Sequence, residues 1–301
     1  MPSAFPGTGH RERAESLFRP QRKHRIAAGK GTVSVHVTPA TEAFGGLEMN
    51  SHLTVHTGAA RIHCTIGAGN GPAVLFLNGA FSTRRDWKHV LRALSPDLHT
   101  VTFDARGRGR SADSPDYSFS GALEDVGSVI EATGLVRPVL VGWSHGATLA
   151  VRHAATHPGQ VAGVVLVDGA FPVRVFHEKA QKRVRRQYRL LRIPMRILGS
   201  MRLLARMTHH EAASVVIELD EIDAGLLPDY RALTCPALFV VGSGPHQGSP
   251  AGEMRAMRAA VELAVAANEK VRLHSTVDAN HLRILRRNAA EVADAVESLT
   301  R

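Results

Sequence analysis

The sequence predicts an α/β chain: a mostly parallel sheet of about eight strands, helices on both faces, and a helical cap inserted late in the sheet. Three observations carry that expectation. The 301 residues are 44% apolar, enough to furnish a sizeable core. From Met49 onward, short β-rich runs alternate with helix-compatible stretches, the alternation that a parallel sheet covered on both sides requires. Finally, residues 171–230 separate two apolar runs by far more than the roughly dozen residues a crossover needs, so they form a layer of their own.

Residues 1–48 mix Pro2, Pro6, Pro20, Gly29, Gly31 and Pro39 with scattered Arg and are expected to stay outside the fold, as a disordered basic extension. Gly45-Gly46 permits a GGAGG-like codon run just before Met49, resembling a bacterial ribosome-binding site, so the expected start of translation is Met49. Residues 49–170 then make the first part of the core. LTVH (53–56) and ARIHCTI (60–66) read as an opening hairpin, followed by strands AVLFLN (73–78), HTVTFD (99–104), PVLVGW (138–143) and VAGVVLVD (161–168). Residues 171–230 are the cap. Residues 231–301 complete the core with ALFVVG (237–242), VRLHST (271–276) and a closing helix over AAEVADAVESL (289–299).

Composition narrows the function. No apolar run approaches the roughly 18 to 20 residues of a membrane span, and the first 30 residues hold no continuous apolar segment of the kind a secretory signal needs. Two distant cysteines, Cys64 and Cys235, make no disulfide framework and suit a reducing compartment, so the cytoplasm is the expected location. The formal charge of +10 looks like a nucleic-acid signal until it is mapped: residues 171–207 alone carry 11 Lys and Arg against one Glu. In that stretch Arg185, Arg186, Arg189, Arg192 and Arg196 interleave with Leu190, Leu191, Ile193, Ile197 and Leu198 at helical spacing. The plain expectation is a lid with its apolar face over the pocket and its charges in water. The sharper one is attraction of an anionic substrate or an acidic membrane surface.

The informative string is Gly142-Trp143-Ser144-His145-Gly146, between the strand PVLVG and the helix-compatible ATLAVRHAATHP. A serine flanked by glycines at a strand-to-helix turn is a nucleophile elbow: tight packing of strand on helix lifts the hydroxyl clear, beside a helix N-terminus that favours developing negative charge. Such a serine needs a base, and His281, five residues beyond VRLHST, stands where one would arrive. For the acid, two carboxylates remain open. The loop after ALFVVG holds no Asp and reaches Glu253 only at the next helix, whereas Asp168 ends the strand beside the elbow and alternatively caps the turn DGAF. Backbone amides of Ala80 or Phe81, in the loop after AVLFLN, and of His145 would receive an oxyanion. His209-His210-Glu211 diverge around a helix and read as a solvated face, not as metal ligands. No cofactor and no metal are called for.

These residues resemble the α/β-hydrolase family over almost all of residues 52–300. The likeness rests on LNGAF, on Asp104-Ala105-Arg106-Gly107-Arg108-Gly109-Arg110-Ser111, on GWSHG and on ANH before the closing helix. It implies that the segment around Asp104 is a structural turn, so Asp104 takes no catalytic part. Two departures stand out: Asn78 replaces the His that commonly precedes Gly79, and the usual acid position is empty. Certain haloalkane dehalogenases place their acid where Asp168 stands. They and the epoxide hydrolases use an Asp nucleophile, which Ser144 speaks against. The expected activity is cofactor-independent hydrolysis of a small-molecule ester, thioester or lactone by Ser144, His281 and Asp168. A C–C hydrolase, lyase or perhydrolase on the same fold, or a non-catalytic ligand-binding protein, are the alternatives.

Overall fold

Runs rich in Val, Leu and Phe become strands because branched and aromatic side chains fill a pleated surface well. The computed structural model describes residues 24–28, 31–38, 51–58, 60–244 and 249–301. Its strands are β1 (His24–Ala28), β2 (Gly31–Thr38), β3 (Ser51–His56), β4 (Arg61–Ile66), β5 (Ala73–Leu77), β6 (His99–Asp104), β7 (Val139–Trp143), β8 (Gly163–Val167), β9 (Ala237–Gly242) and β10 (Val271–Val277). They form one sheet in the order β1-β2-β3-β4-β6-β5-β7-β8-β9-β10. The pairs from β6 through β10 are parallel, and those from β1 to β4 and onto β6 are antiparallel. The eight strands expected after Met49 are all present, the β3–β4 hairpin included.

The expectation for residues 1–48 is corrected in part. β1 and β2 pair antiparallel, and β2 joins β3 with Val35 opposite Val55, so these two strands extend the sheet rather than lying outside it. The signal was local: Val33, Val35 and Val37 alternate with Ser34 and His36, a period of two that composition over all 48 residues averages away. The expected start at Met49 lies outside the described residues.

The helices are α1 (Lys88–Ala93), α2 (Phe119–Thr133), α3 (His145–Thr156), α4 (Glu178–Leu190), α5 (Arg192–Ser200), α6 (His209–Asp223), α7 (Leu227–Ala232), α8 (Ala251–Ala267), α9 (Ile284–Arg287) and α10 (Ala289–Ser298). Strands β7, β8 and β9 are buried along their whole length because helices cover both faces. On one face Phe119, Val126, Leu149, Val151, Tyr230 and Val261 bring α2, α3, α7 and α8 against the sheet. On the other, Trp87, Val90, Ile284, Val292 and Val296 bring α1, α9 and α10.

The turn after β6 is closed by its own polar groups. The Asp104 carboxylate accepts the N–H of Arg84 at 2.8 Å and of Arg110 at 3.0 Å, which is a structural task. Arg106 makes a two-pronged pair with Asp125, both bonds 2.8 Å and both side chains 1% exposed. Removing one partner of such a pair strands a buried charge, so Asp125→Ala is expected to lower the unfolding free energy by about 3 to 5 kcal/mol, read from urea denaturation.

Helices α4 to α6 lie between β8 and β9 within residues 171–230, and α7, which packs on the sheet, runs across residue 230. The cap is fastened at several points. Within the segment the Asp220 carboxylate accepts the N–H of Val175 and Phe176, while Arg183 pairs with Glu253 of α8 at 2.6 Å and Arg206 with Asp113 at 2.7 Å. Ala205 N–H reaches back to the carbonyl of Phe81 at 3.1 Å, tying the cap to the loop after β5.

Candidate active site

Ser144 sits between β7 and α3 with φ 55° and ψ −119°, a conformation unfavourable for a residue with a side chain. It is held by packing. A Cβ at Gly142 would come 2.2 Å from the carbonyl oxygen of Gly146, and one at Gly146 would come 2.1 Å from that of Leu77, so neither position tolerates a side chain. The Ser144 N–H is fixed on Val167 O at 3.0 Å, and Ala147 N–H bonds Ser144 O at 2.8 Å to open the helix. The backbone strain is thus imposed by strand, helix and glycines together.

Asp168 follows β8 immediately and also has positive φ, 48°. Its N–H bonds Val240 O at 2.9 Å, and one carboxylate oxygen accepts Gly242 N–H at 3.1 Å. The other, Oδ2, lies 2.8 Å from His281 Nδ1. Asp168 is almost fully buried at 2%, and His281 is 17% exposed, so the carboxylate orients the ring from inside while the rest of the imidazole faces the rim. The ring centroid of His281 is 5.4 Å from that of Trp143, the residue before Ser144. Gly169 passes so close that a Cβ there would lie 2.7 Å from Ser144 Cα. Thus the ends of β7, β8 and β10 converge on one rim, bringing together residues 113 positions apart.

Of the sequence candidates, Asp168 and His281 are joined, and both lie next to the elbow. The Ser144 hydroxyl is hydrogen-bonded to no described residue, His281 included. Glu253 is elsewhere: its carboxylate takes both contacts from Arg183 of α4, at 2.6 and 2.8 Å. His145 opens α3 and its ring is buried edge-on against Phe119, centroids 5.6 Å apart. Burial, with the Arg108 cation nearby, pushes its pKa down to about 3, so it is neutral at any ordinary pH. Asn78 has no freedom to act: it donates to Phe103 O at 2.6 Å and accepts from Trp87 Nε1 at 2.8 Å.

Arg108 is the residue that sequence reading missed. Its guanidinium is buried, and burial lowers its pKa to about 10, still cationic at neutral pH. It donates through Nε and Nη2 to the carbonyl of Ala80, the first at 2.9 Å, and through Nη1 to Arg106 O at 2.6 Å. All peptide bonds are trans among the described residues, so anchoring Ala80 O aims the N–H of Phe81 the opposite way. Among those residues neither Ala80 N–H nor Phe81 N–H is paired with an acceptor. No sequence signal exposes this role, because the partner is a backbone carbonyl that every residue carries. Arg108→Met is expected to lower kcat by about ten- to a hundred-fold with little change in KM, through a loosened loop. Steady-state kinetics on a variant with an unchanged circular dichroism spectrum checks it.

A groove of about 940 Å³ opens between α5 and residues 113–117, lined among others by Tyr117, Met195, Met207 and Arg206. Ser144, Asp168 and His281 do not line it.

A sequence model described as the alpha/beta hydrolase family matches residues 74–295. The chain belongs to the alpha/beta hydrolase family. Within that family it is 31% identical to a fluoroacetate dehalogenase of a Burkholderia species over 140 residues, 44% of this chain and 45% of the relative. It is 34% identical to an sn-1-specific diacylglycerol lipase of Mus musculus over 99 residues, 32% of each chain. The matches thus span less than half the length of these curated relatives. Among solved structures, the enol-lactonase of Burkholderia xenovorans LB400 superposes with a TM-score of 0.62 at 21% identity, covering 80% of this chain and 97% of that one. A thermophilic esterase of Thermogutta terrifontis does so with the same score and identity, covering 83% and 99%. At such identity these last two speak for the fold alone. Among the described residues of this family member, no helix is long and apolar enough to cross a membrane.

Proposed function

We propose that the chain is a serine hydrolase that cleaves a carboxylic ester, thioester or lactone through an acyl-enzyme, without a cofactor. The observation that carries this reading is the Asp168 carboxylate on His281 Nδ1 at 2.8 Å, beside a serine held in a strained strand-to-helix turn. A carboxylate on Nδ1 keeps the proton on that nitrogen and leaves Nε2 unprotonated, the form in which it acts as a base. Ser144 Oγ then attacks the substrate carbonyl while Nε2 takes its proton, the two groups closing when substrate is bound, since resting sites of this kind are often loose. The imidazolium so formed is stabilised by Asp168 and returns its proton to the departing alcohol, thiol or lactone oxygen. Water repeats the sequence on the acyl-enzyme and regenerates Ser144. The amides of Ala80 and Phe81, which are unpaired among the described residues, and that of His145 at the start of α3 are the donors for the tetrahedral oxyanion.

The relatives include a dehalogenase, but a serine at the elbow makes acyl transfer the fitting chemistry. A fluorophosphonate probe tests it: Oγ displaces fluoride from phosphorus and keeps the label. The expected result is one label per chain on the peptide containing Ser144, with loss of p-nitrophenyl ester hydrolysis in proportion. No label, or a label on another residue, would overturn the reading.

A further inference from the structure

An amphipathic cap helix is expected to turn its apolar side inward, yet α5 leaves most of its large apolar side chains exposed. Only Met195 and Gly199 of α5 are buried, one turn apart on a single face. At about 100° per residue, Ile193 and Ile197 are turned away from that buried face onto the outer edge of the groove beside residues 113–117, which both of them border, and Met201 continues the row. These three are 62%, 54% and 60% exposed. Leu190, Leu198 and Leu203 add to the same end of the cap, and of the eleven large apolar side chains exposed among the described residues, seven fall between positions 190 and 203. Apolar side chains concentrated this way mark a docking surface, whereas scattered ones would not.

The flanks are cationic. Arg192 and Arg196 run beside the apolar row on α5, while Arg185, Arg186 and Arg189 are exposed on α4 and Arg202 follows the helix. None of the six is paired with a carboxylate among the described residues, unlike Arg174, Arg183 and Arg206 lower in the cap. An apolar tip bordered by unpaired arginines suits a surface that offers hydrocarbon under a layer of negative charge. A second copy of the chain offers the reverse, since it would set one cationic cap against another.

We infer that the α4–α5 end of the cap docks on an anionic lipid surface, with Ile193, Ile197 and Met201 entering the headgroup boundary and the surrounding arginines meeting lipid phosphates. Docking does not depend on the hydrolase reading and is measured without substrate. Because Ala205 N–H bonds Phe81 O, a seated cap holds the loop after β5 close to the membrane.

The experiment is co-sedimentation of the full chain with vesicles of phosphatidylcholine alone and of phosphatidylcholine with phosphatidylglycerol. The expected result is binding to the anionic vesicles at least about ten-fold tighter than to the neutral ones, weakening as salt is raised. Ile193→Ser with Ile197→Ser, and separately Arg185→Gln with Arg186→Gln and Arg189→Gln, are each expected to weaken it about ten-fold or more. All five positions are exposed, so thermal melts of both variants should match the wild type. Equal binding to both vesicle types, or variants that bind as the wild type does, would overturn the inference. So would a dimer in sedimentation velocity that Ile193→Ser with Ile197→Ser dissolves while vesicle binding is absent.

Discussion

Ser144→Ala is expected to lower kcat/KM for a p-nitrophenyl acyl ester by about 10⁴- to 10⁶-fold, the range seen when a serine hydrolase loses its nucleophile. The substitution removes one oxygen and little else. Among the described residues the hydroxyl has no hydrogen-bond partner, so none is left stranded, and the main chain at 144 keeps its bonds to Val167 and Ala147. Alanine carries the same Cβ into the same positive φ, so the strain is unchanged and the melting temperature should stay within about a degree or two. A large kinetic loss in an intact fold is therefore the signature. Residual turnover well above the uncatalysed rate is still expected from the oxyanion donors and binding. If the variant keeps full activity, the chemistry lies elsewhere and Ser144 is only a tight turn.

The parts of this molecule legible in its sequence are those whose signal is local. The strands after Met49 announce themselves by branched apolar runs, and the elbow by glycines at 142 and 146, since close approach of backbones admits nothing larger. The His281–Asp168 contact crosses 113 residues; position made it one of two options, because both residues end or follow strands and parallel strands deliver such ends to one rim, while Glu253 stayed open as the other acid. Three features were not legible. The pairing of β1 and β2 was hidden by the prolines and glycines around it. The outward apolar row of α5 was hidden because a helical period gives the width of a stripe but not its direction, which is set by what Met195 and Gly199 touch. The hold of Arg108 on Ala80 was hidden because a backbone carbonyl leaves no mark in a sequence.

Asp168→Asn and Glu253→Gln separate the two carboxylates that the sequence leaves open. The first is expected to lower kcat by about 10³- to 10⁴-fold with a small effect on KM, because an amide does not enforce the proton on Nδ1 or stabilise the imidazolium as a buried carboxylate does. Among the described residues, two of its contacts are at stake. Oδ2 orients His281 at 2.8 Å, and Oδ1 accepts from Gly242 at 3.1 Å, so an asparagine can satisfy one of them with its oxygen but must turn its NH₂ toward the other. If the NH₂ faces Nδ1, that nitrogen becomes an acceptor and Nε2 carries the proton, which removes the base. Glu253→Gln leaves this arrangement untouched. It weakens a partly exposed pair with Arg183, whose side chain is 39% accessible, so kcat should change by less than about three-fold and stability by under about 1 kcal/mol. Single-turnover acylation compared with steady-state turnover in both variants reads the difference directly. A loss in Glu253→Gln comparable to that in Asp168→Asn would mean that the position of α4, rather than the carboxylate on His281, governs the reaction.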